Sequence, residues 1–451
     1  LHAMKEMDDG RFNKVANIIG QSMQYHPHGD ASIGDALVNM GQKDLLIETQ
    51  GNWGDVRTGD EAAASRYIEA RLSKFALEVA FNAKTTEWQL SYDGRKNEPV
   101  TLPMKFPLLL AQGADGIAVG LSTKILPHNF CELLEASIKY LRGKRFELFP
   151  DFMMGGMIDV ANYNDGKRGG KLRVRAKIEE LDKKTLLIKD IPFGTTTTSV
   201  MESIVKANDN GKIKIKKIVD NTAANVEIEI QLAPGISPDV TIDALYAFTD
   251  CEVSISPNAC VIVADKPVFI GVSELLKIST DNTMELLKKE LEIKLAELNE
   301  KWHYTSLEKI FFEEKIYKEL EKKHATWDKV IEAIAAAFQP FLKKLKKAIS
   351  REDILKLTEK PVRRIYRLDI DELNEQIRGI ETEIKQTRHN LRNLVDYTVT
   401  YFEELLKKYG QGRERRTEIR PFDVIQARQV AIANTRVYVN RAEGFIGSGL
   451  K

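Results

Sequence analysis

Two short stretches of this chain hold the side chains that could do chemistry. In "AAASRYIEARLSKFA" (62–76) one tyrosine, Tyr67, stands against Arg66. Read as an Ala-rich helix, the stretch places Arg71 and Lys74 at i+4 and i+7, on the face of Tyr67. Tyrosine has a pKa of about 10 and is a poor nucleophile at neutral pH. Cations beside it favour the phenolate and neutralise a phosphate under attack. The cluster therefore fits attack on a phosphodiester, against the plainer reading of a half-buried aromatic. In "YHPHGD" (25–30), His26 and His28 flank Pro27. Zinc would need further ligands at metal spacing, and none lies nearby in the sequence. Pro27 stiffens the turn and Gly29 lets backbone come close, which suits contact with a phosphate or another polar group.

Other chemistry finds no residues to carry it. The sequence contains no Walker-type loop and no acidic Mg²⁺ motif; "DID" at 369–371 reads as a solvated helix start. If phosphoryl chemistry happens here, metal and nucleotide come from a partner. Lys and Arg number 67 against 66 Asp and Glu, a net charge of +1, so only local clustering can signal a polyanion partner. Cys131, Cys251 and Cys260 form no CxxC pair, which argues against a disulfide framework or a Cys-based zinc site and fits a reducing cytosol. No apolar run reaches about 18 residues, so no membrane span is expected. There is no signal peptide, and the opening on Leu1 in mid-pattern reads as a fragment.

The elements that must position these residues fall into several domains, two to four at roughly 100–200 residues each. Residues 1–140 mix short helices with Gly-rich turns. A stripe at Ile68, Leu72, Phe75 and Val79 predicts a helix, with Asp60 placed to cap it. "GADGIAVGLSTKILPHN" (113–129) reads as an apolar strand or loop ending at a Pro turn. Between 145 and 270, "KLRVRAKIEE", "TLLIKDIPF", "ANVEIEIQLA" and "ACVIVADKPVFIG" predict strands, with a helix at "TTSVMESIVKANDNGK". From about 281 a 3–4 spacing at Met284, Leu287, Leu291, Leu295, Leu298 and Trp302 predicts a long helix. A stricter run from Leu373 through Ile377, Ile380, Ile384, Thr387, Leu391, Leu394, Thr398 and Tyr401 to Leu405 predicts its antiparallel partner. Plain structural coiled coil accounts for such a stripe; its meaning is architectural, an arm with a helical knob.

"YHPHGD", "QGNWG", "AAASRYIEARLSK", "GIAVGLSTKILPHN" and "RRTEI" resemble, in order and spacing, the A subunit of bacterial type IIA DNA topoisomerases, that is, topoisomerase IV and DNA gyrase. The resemblance covers essentially the whole chain. It implies a multidomain α+β protein: a winged-helix, CAP-like DNA-gate domain (1–140), an α/β tower domain (141–272), coiled-coil arms (273–325 and 369–410), a helical C-gate dimerisation domain (326–368), a return helix (411–435) and the start of a C-terminal β-pinwheel domain (436–451). It implies that Tyr67 is the nucleophile with Arg66 beside it. It places His26, His28, Lys14, Lys43 and Arg71 against DNA, and makes Ile125 the residue that wedges between base pairs and bends the duplex. It further implies a partner B subunit that holds Mg²⁺ and ATP, an A2B2 assembly on double-stranded DNA, a homodimer closed at the C-gate, and a cytoplasmic, nucleoid-associated protein.

Three departures stand out. The family's Ser after "HPHGD" is Ala31, followed by Ser32, while the acidic residue is kept as Asp35; in the family that Ser and acid anchor quinolone drugs, so weaker drug sensitivity is expected. Lys14 stands where the family has a DNA-contacting arginine. The spacing before "YHPHGD" is a few residues longer, which leaves the roles of Gln21 to Gln24 open. Topoisomerase IV is favoured over gyrase by Trp53 in "QGNWG". The rivals from other classes are a non-catalytic DNA-binding scaffold and a metal-dependent nuclease, the latter lacking an in-chain carboxylate cluster.

Overall fold

The computed structural model of the chain describes residues 1–27, 29–359, 370–425, 430, 438–440 and 445–447. It divides into two compact units, Leu1–Asn282 with Tyr401–Lys451, and Thr283–Thr400.

The first unit opens with helices α1 (His2–Glu6), α2 (Val15–Ser22) and α3 (Asp30–Gln42) and strands β1 (Asn13–Lys14), β2 (Ile47–Gln50) and β3 (Glu69–Leu72). The strands form an antiparallel sheet in the order β1-β3-β2, and helix α4 (Lys74–Val79) follows. Residues 62–76 are therefore not one helix. Residues 65–67 form a turn, 69–72 a strand, and only the end is helical. The physical reason lies in the spacing. Ile68, Ala70 and Leu72 are buried and alternate with half-buried Glu69 and Arg71, a period of two. A separation of four is even, so Ile68 and Leu72 share a face of a strand as readily as a face of a helix. With β1 and β2 satisfying both edges of β3, pairing overrides the helix preference of Ala62 to Ala64. Asp60 caps nothing and instead bridges to Asp55. Ser73 is the cap of α4, its Oγ accepting from Ala76 N–H at 3.0 Å.

One core seats these elements: Val15, Ile18 and Ile19 of α2, Leu37 of α3, Leu46 and Ile47, and Ile68, Ala70 and Leu72. Trp53 of "QGNWG" belongs to it, with Nε1 donating to Gln50 O at 3.1 Å. Gly41 is required there, since a Cβ would fall 2.5 Å from the Trp53 ring. Trp53 is thus packing rather than chemistry.

"GADGIAVGLSTKI" folds as a hairpin of Ala114–Ala118 and Leu121–Ile125, with Ala114 opposite Ile125. The α+β region holds two four-stranded sheets. Lys177–Asp182, Thr185–Asp190, Ile215–Asp220 and Ile228–Leu232 pair antiparallel and pack with the helices Thr197–Asp209 and Pro238–Phe248. Met157–Asp159, Leu172–Arg175 and Glu252–Ile255 form the second sheet, which Glu418–Ile419 completes in parallel with Met157–Ile158. "ACVIVADKPVFIG" folds as two strands that reverse at Ala264 and Asp265, both at positive φ. The helix expected at 197–209 is present, with a capping box between Thr196 and Ser199.

"RRTEI" explains how the end of the chain reaches that second sheet. Arg415 donates to both carboxylate oxygens of Glu132 (2.6 and 2.5 Å) and to the carbonyls of Pro150 and Phe149 (2.8 and 2.9 Å). Thr417, 1% exposed, accepts from Phe152 N–H at 2.7 Å, and Asp151 accepts from the N–H groups of Arg416 and Thr417. The motif is a latch. Arg415→Ala is expected to lower stability by about 2–4 kcal/mol, because Glu132 and two carbonyls lose a shared donor. Thermal denaturation reads this as a fall in the first transition, and an unchanged transition would refute the latch. Residues 411–425 contain no helix, because pairing with 157–158 extends them, which corrects the return helix up to that point. The rest of it falls outside the described residues, Val430 excepted. In the expected pinwheel opening, Tyr438–Asn440 and Phe445–Gly447 pair antiparallel, and the remaining residues lie outside those described.

In the second unit, the helix Val272–Glu313 continues past Thr283, and Ile370–Arg392 supplies a partner. Leu298, Trp302, Ile380 and Ile384 share a core, and Trp302 Nε1 donates to Glu381 at 2.9 Å. The predicted stripe is buried at Leu373, Ile380, Ile384, Thr387 and Thr398, though the helix breaks at Asn393 before Leu394–Tyr409. The knob is a small helical core: Leu307, Phe311 and Ile316 with Val330, Ile334, Phe338, Ile354 and Leu357. Its end at 360–368 lies outside the described residues. Among the described residues no helix is long and apolar enough to cross a membrane.

Candidate functional site

Tyr67 sits on the turn that leads into β3. Its backbone N–H donates to Ala64 O at 2.8 Å, and its side chain is 62% exposed. Two backbone bonds fasten this turn to the start of α2: Val15 N–H to Ile68 O at 3.0 Å and Ala16 N–H to Ser65 O at 3.1 Å. A phenol on a loop would ordinarily wander; here the loop is bonded to the first turn of a helix whose other face is core.

The cations around Tyr67 are not those the helix reading supplied. The Arg66 guanidinium carbon lies 4.6 Å from the centre of the Tyr67 ring. Lys14 reaches the site across the sheet, with Nζ 2.7 Å from Glu69 and 3.4 Å from Tyr67 O. Arg71 is not part of this group. On a strand it cannot share the face that helical spacing gave it, and it is engaged elsewhere. Its Nε donates to Glu48 at 2.8 Å, Nη1 donates to Gly10 O at 2.9 Å, and the guanidinium covers Phe12. Lys74 begins α4 and is exposed, with Ser73 turning the chain between it and the strand. The group that can act on an approaching anion is thus an exposed phenol, a guanidinium on its ring and an ammonium at its backbone.

His26 follows α2, exposed, with its N–H donating to Ser22 O at 3.0 Å. His28 lies outside the described residues. Gly29, at φ +74, turns the chain into α3, where a side chain would be strained. Ala31, Ser32 and Asp35 follow on the first turns of α3, all exposed, and Ser32 Oγ donates to Gly29 O at 2.9 Å. Ala31 and Asp35, four apart, share a face of the helix. Gln21 donates to Glu6 at 2.7 Å and so ties α2 to α1, while Gln24 donates to Gln21 at 2.8 Å and supports it locally. Lys43 ends α3 half-buried. Burial pushes its ammonium below the usual lysine range, and it lines a cleft of about 790 Å³ with Lys124, His128 and Arg413. His128 is buried and pushed down to about 4 by desolvation, a neutral core imidazole.

Ile125 cannot wedge between bases. It is 4% exposed and packed with Leu110 and Leu126, because its place at the foot of the hairpin points it into the core. The hairpin foot is pinned by Asn258, whose N–H donates to Lys124 O at 3.0 Å and whose carbonyl accepts from Lys124 N–H at 2.8 Å. The tip is the opposite environment: Ile117 is 91% exposed and Val119 fully so. Sequence spacing contained a signal for this, since "GIAVG" sits at the turn of the hairpin, but a linear reading took the stretch as one strand or loop.

Among the described residues no group of three or more His, Cys, Asp or Glu is placed to hold a metal ion. The family model for the A subunit of DNA gyrase/topoisomerase IV matches residues 1–405. The chain is 42% identical over 450 residues to the A subunit of DNA topoisomerase 4 from Borreliella burgdorferi, covering all of this chain and 71% of that one. It is 29% identical to the A subunit of DNA gyrase from Metamycoplasma arthritidis, over 95% of this chain and 50% of that one. It is 34% identical to the A subunit of DNA gyrase from Lawsonia intracellularis, over 64% of this chain and 38% of that one. The chain thus spans half or less of those gyrase relatives.

Proposed function

The chain belongs to the family of DNA gyrase and topoisomerase IV A subunits, which are type II topoisomerases, and from that premise we propose that Tyr67 is the nucleophile of its DNA breakage and reunion. The single observation that carries the reading is an exposed phenol on a bonded turn with Arg66 over its ring. The Tyr67 oxygen attacks a backbone phosphorus; the bond from phosphorus to the 3′ oxygen breaks, and that oxygen leaves with a proton in place of the one the phenol gave up. One phosphoester replaces another, so religation needs no external energy. The link is 5′-phosphotyrosyl. Arg66 neutralises the phosphate under attack, and Lys14 joins it where the phosphate displaces Glu69 from its ammonium.

The first unit supplies the DNA-gate (winged-helix) and tower domains, and the second supplies the coiled-coil arms and C-gate. His26, His28 and Lys43 are assigned to contact with the gate duplex, and Ile117 replaces Ile125 as the wedge. The working particle is a homodimer, completed to A2B2 by its B partners, in the bacterial cytoplasm on the nucleoid. Mg²⁺ and ATP belong to the B subunit; the metal supplies charge neutralisation at the scissile phosphate when bound, and no ligand set for it is assigned to this chain. Topoisomerase IV rather than gyrase is favoured by the higher identity to the A subunit of a topoisomerase 4.

Denaturing the chain together with B subunit, Mg²⁺ and end-labelled duplex is expected to leave label covalently on the protein. A non-catalytic DNA-binding scaffold predicts none. The quinolone anchor is assigned to the exposed Ala31 and Asp35 face of α3, with Ser32 turned back to Gly29 O. Ala31→Ser is expected to lower the drug concentration that traps cleaved DNA by about tenfold, one hydrogen bond to a charged bridge at roughly 1.5 kcal/mol. Equal potency with Ala and Ser would refute that anchor.

A further inference from the structure

The second unit carries a basic surface that breakage and reunion does not use. Along Ile370–Arg392 the acids stop at Glu383, and Lys385, Arg388, His389 and Arg392 follow, all exposed. Lys385, Arg388 and Arg392 are spaced i, i+3, i+7, one face of a helix, spread over roughly 10 Å. They face a groove of about 400 Å³ whose other wall is Lys346, from a separate segment. Lys346 is exposed, its ammonium 3.8 Å from the centre of the Trp302 ring. Among the described residues the one acid lining the groove, Glu381, accepts from Trp302 Nε1. Lys347 beside it is spent on Glu300 at 2.7 Å.

Complementing the helix dipole explains cations in a last turn. It explains Arg392 and His389, but neither Lys385, two turns back, nor Lys346, which is not on the helix. Two segments therefore converge their cations on one groove. Three of these cations lie in a row over roughly 10 Å, a spread that matches successive phosphates of a linear polyanion rather than the oxygens of one small anion. Among the described residues no Phe, Tyr or Trp lines the groove, and nearby Trp302 is 7% exposed and covered by Lys346, which leaves the His389 imidazole as its one ring. That favours the phosphate backbone of a duplex over a single strand.

We propose that this groove binds the backbone of double-stranded DNA through residues of its own, separate from Tyr67; the binding does not rest on the Tyr67 reading.

The test uses the full chain with Gln386→p-benzoylphenylalanine, an exposed position between the cations, irradiated with labelled duplex at two duplexes per protomer. Crosslinking at 386 is expected. It should fall at least tenfold on Lys346→Gln/Lys385→Gln/Arg388→Gln/Arg392→Gln, and the slope of log binding against log salt should drop by about 2–4, at roughly 0.9 per phosphate contact. A charge-retaining Lys385→Arg/Arg388→Lys variant should keep the yield. No crosslink, a yield unmoved by the Gln substitutions, or loss in the charge-retaining variant overturns the proposal. Capture of an acidic peptide at 386 in preference to duplex also overturns it. Covalent adduct formation, measured on the same variants with the B subunit present, should be unchanged. If that adduct is absent from the unmodified chain too, the Tyr67 reading fails, while the crosslink still decides the groove.

Discussion

Tyr67→Phe is expected to abolish covalent capture of DNA, by at least about 10³-fold, while duplex affinity stays within roughly twofold. The substitution removes one oxygen from a ring that is 62% exposed, so it leaves no cavity, and the Arg66 guanidinium keeps a ring to cover. The fold should therefore be unaffected, and thermal denaturation of the variant should overlay that of the parent. Arg66→Ala is the informative companion. It retains the nucleophile but removes charge at the phosphate, and cleavage is expected to slow by about 10²–10³-fold without being lost. Residual adduct in Tyr67→Phe would move the chemistry to another residue; an unimpaired Arg66→Ala would reduce the ring contact to a surface detail.

The second large effect separates two isoleucines of one hairpin, Ile117 near its tip and Ile125 at its foot. Ile117→Ala is expected to leave stability within about 0.5 kcal/mol, because its side chain is 91% exposed. It should lower DNA bending and cleavage by about 10–100-fold, since an apolar wedge offsets unstacking of a base step worth a few kcal/mol. Ile125→Ala should do the reverse. It opens a cavity beside Leu110 and Leu126 and is expected to lower stability by about 2–4 kcal/mol, with bending by the folded fraction unchanged. End-to-end energy transfer on a short labelled duplex reads the bend, and calorimetry reads the stability. Bending that survives Ile117→Ala but fails in the folded Ile125→Ala protein would return the wedge to Ile125.

Much of this was legible in the linear order of residues. Five motifs in their order identified the family. The apolar run within Thr185–Asp190, the alternation over Ile228–Leu232, and the 3–4 stripe through Ile380 and Ile384 predicted element types that the fold contains. These signals are local and strongly periodic, so tertiary context has little to override. Tyr67 was singled out for its chemistry by way of three cations, of which the fold keeps Arg66 at the ring and takes Arg71 and Lys74 elsewhere.

What the linear order left undecided shares one cause. Ile68 and Leu72 satisfy period two and period 3.6 alike, and only pairing with residues 13–14 and 47–50 selects the strand. That selection sends Arg71 to Glu48 and brings Lys14 to Tyr67 from 53 positions away. "GIAVGLSTKI" contains two isoleucines of equal hydropathy, and only the hairpin register exposes one and buries the other. "RRTEI" looked like part of the motif set and proves to be a latch onto residues 132 and 149–152. Sequence alone determined which chemistry the chain carries and which elements are regular, because residue type and short-range period encode both. Tertiary structure alone decided which side chains surround the phenol and which isoleucine is free, because those depend on partners distant in the chain, whose pairing no local spacing records.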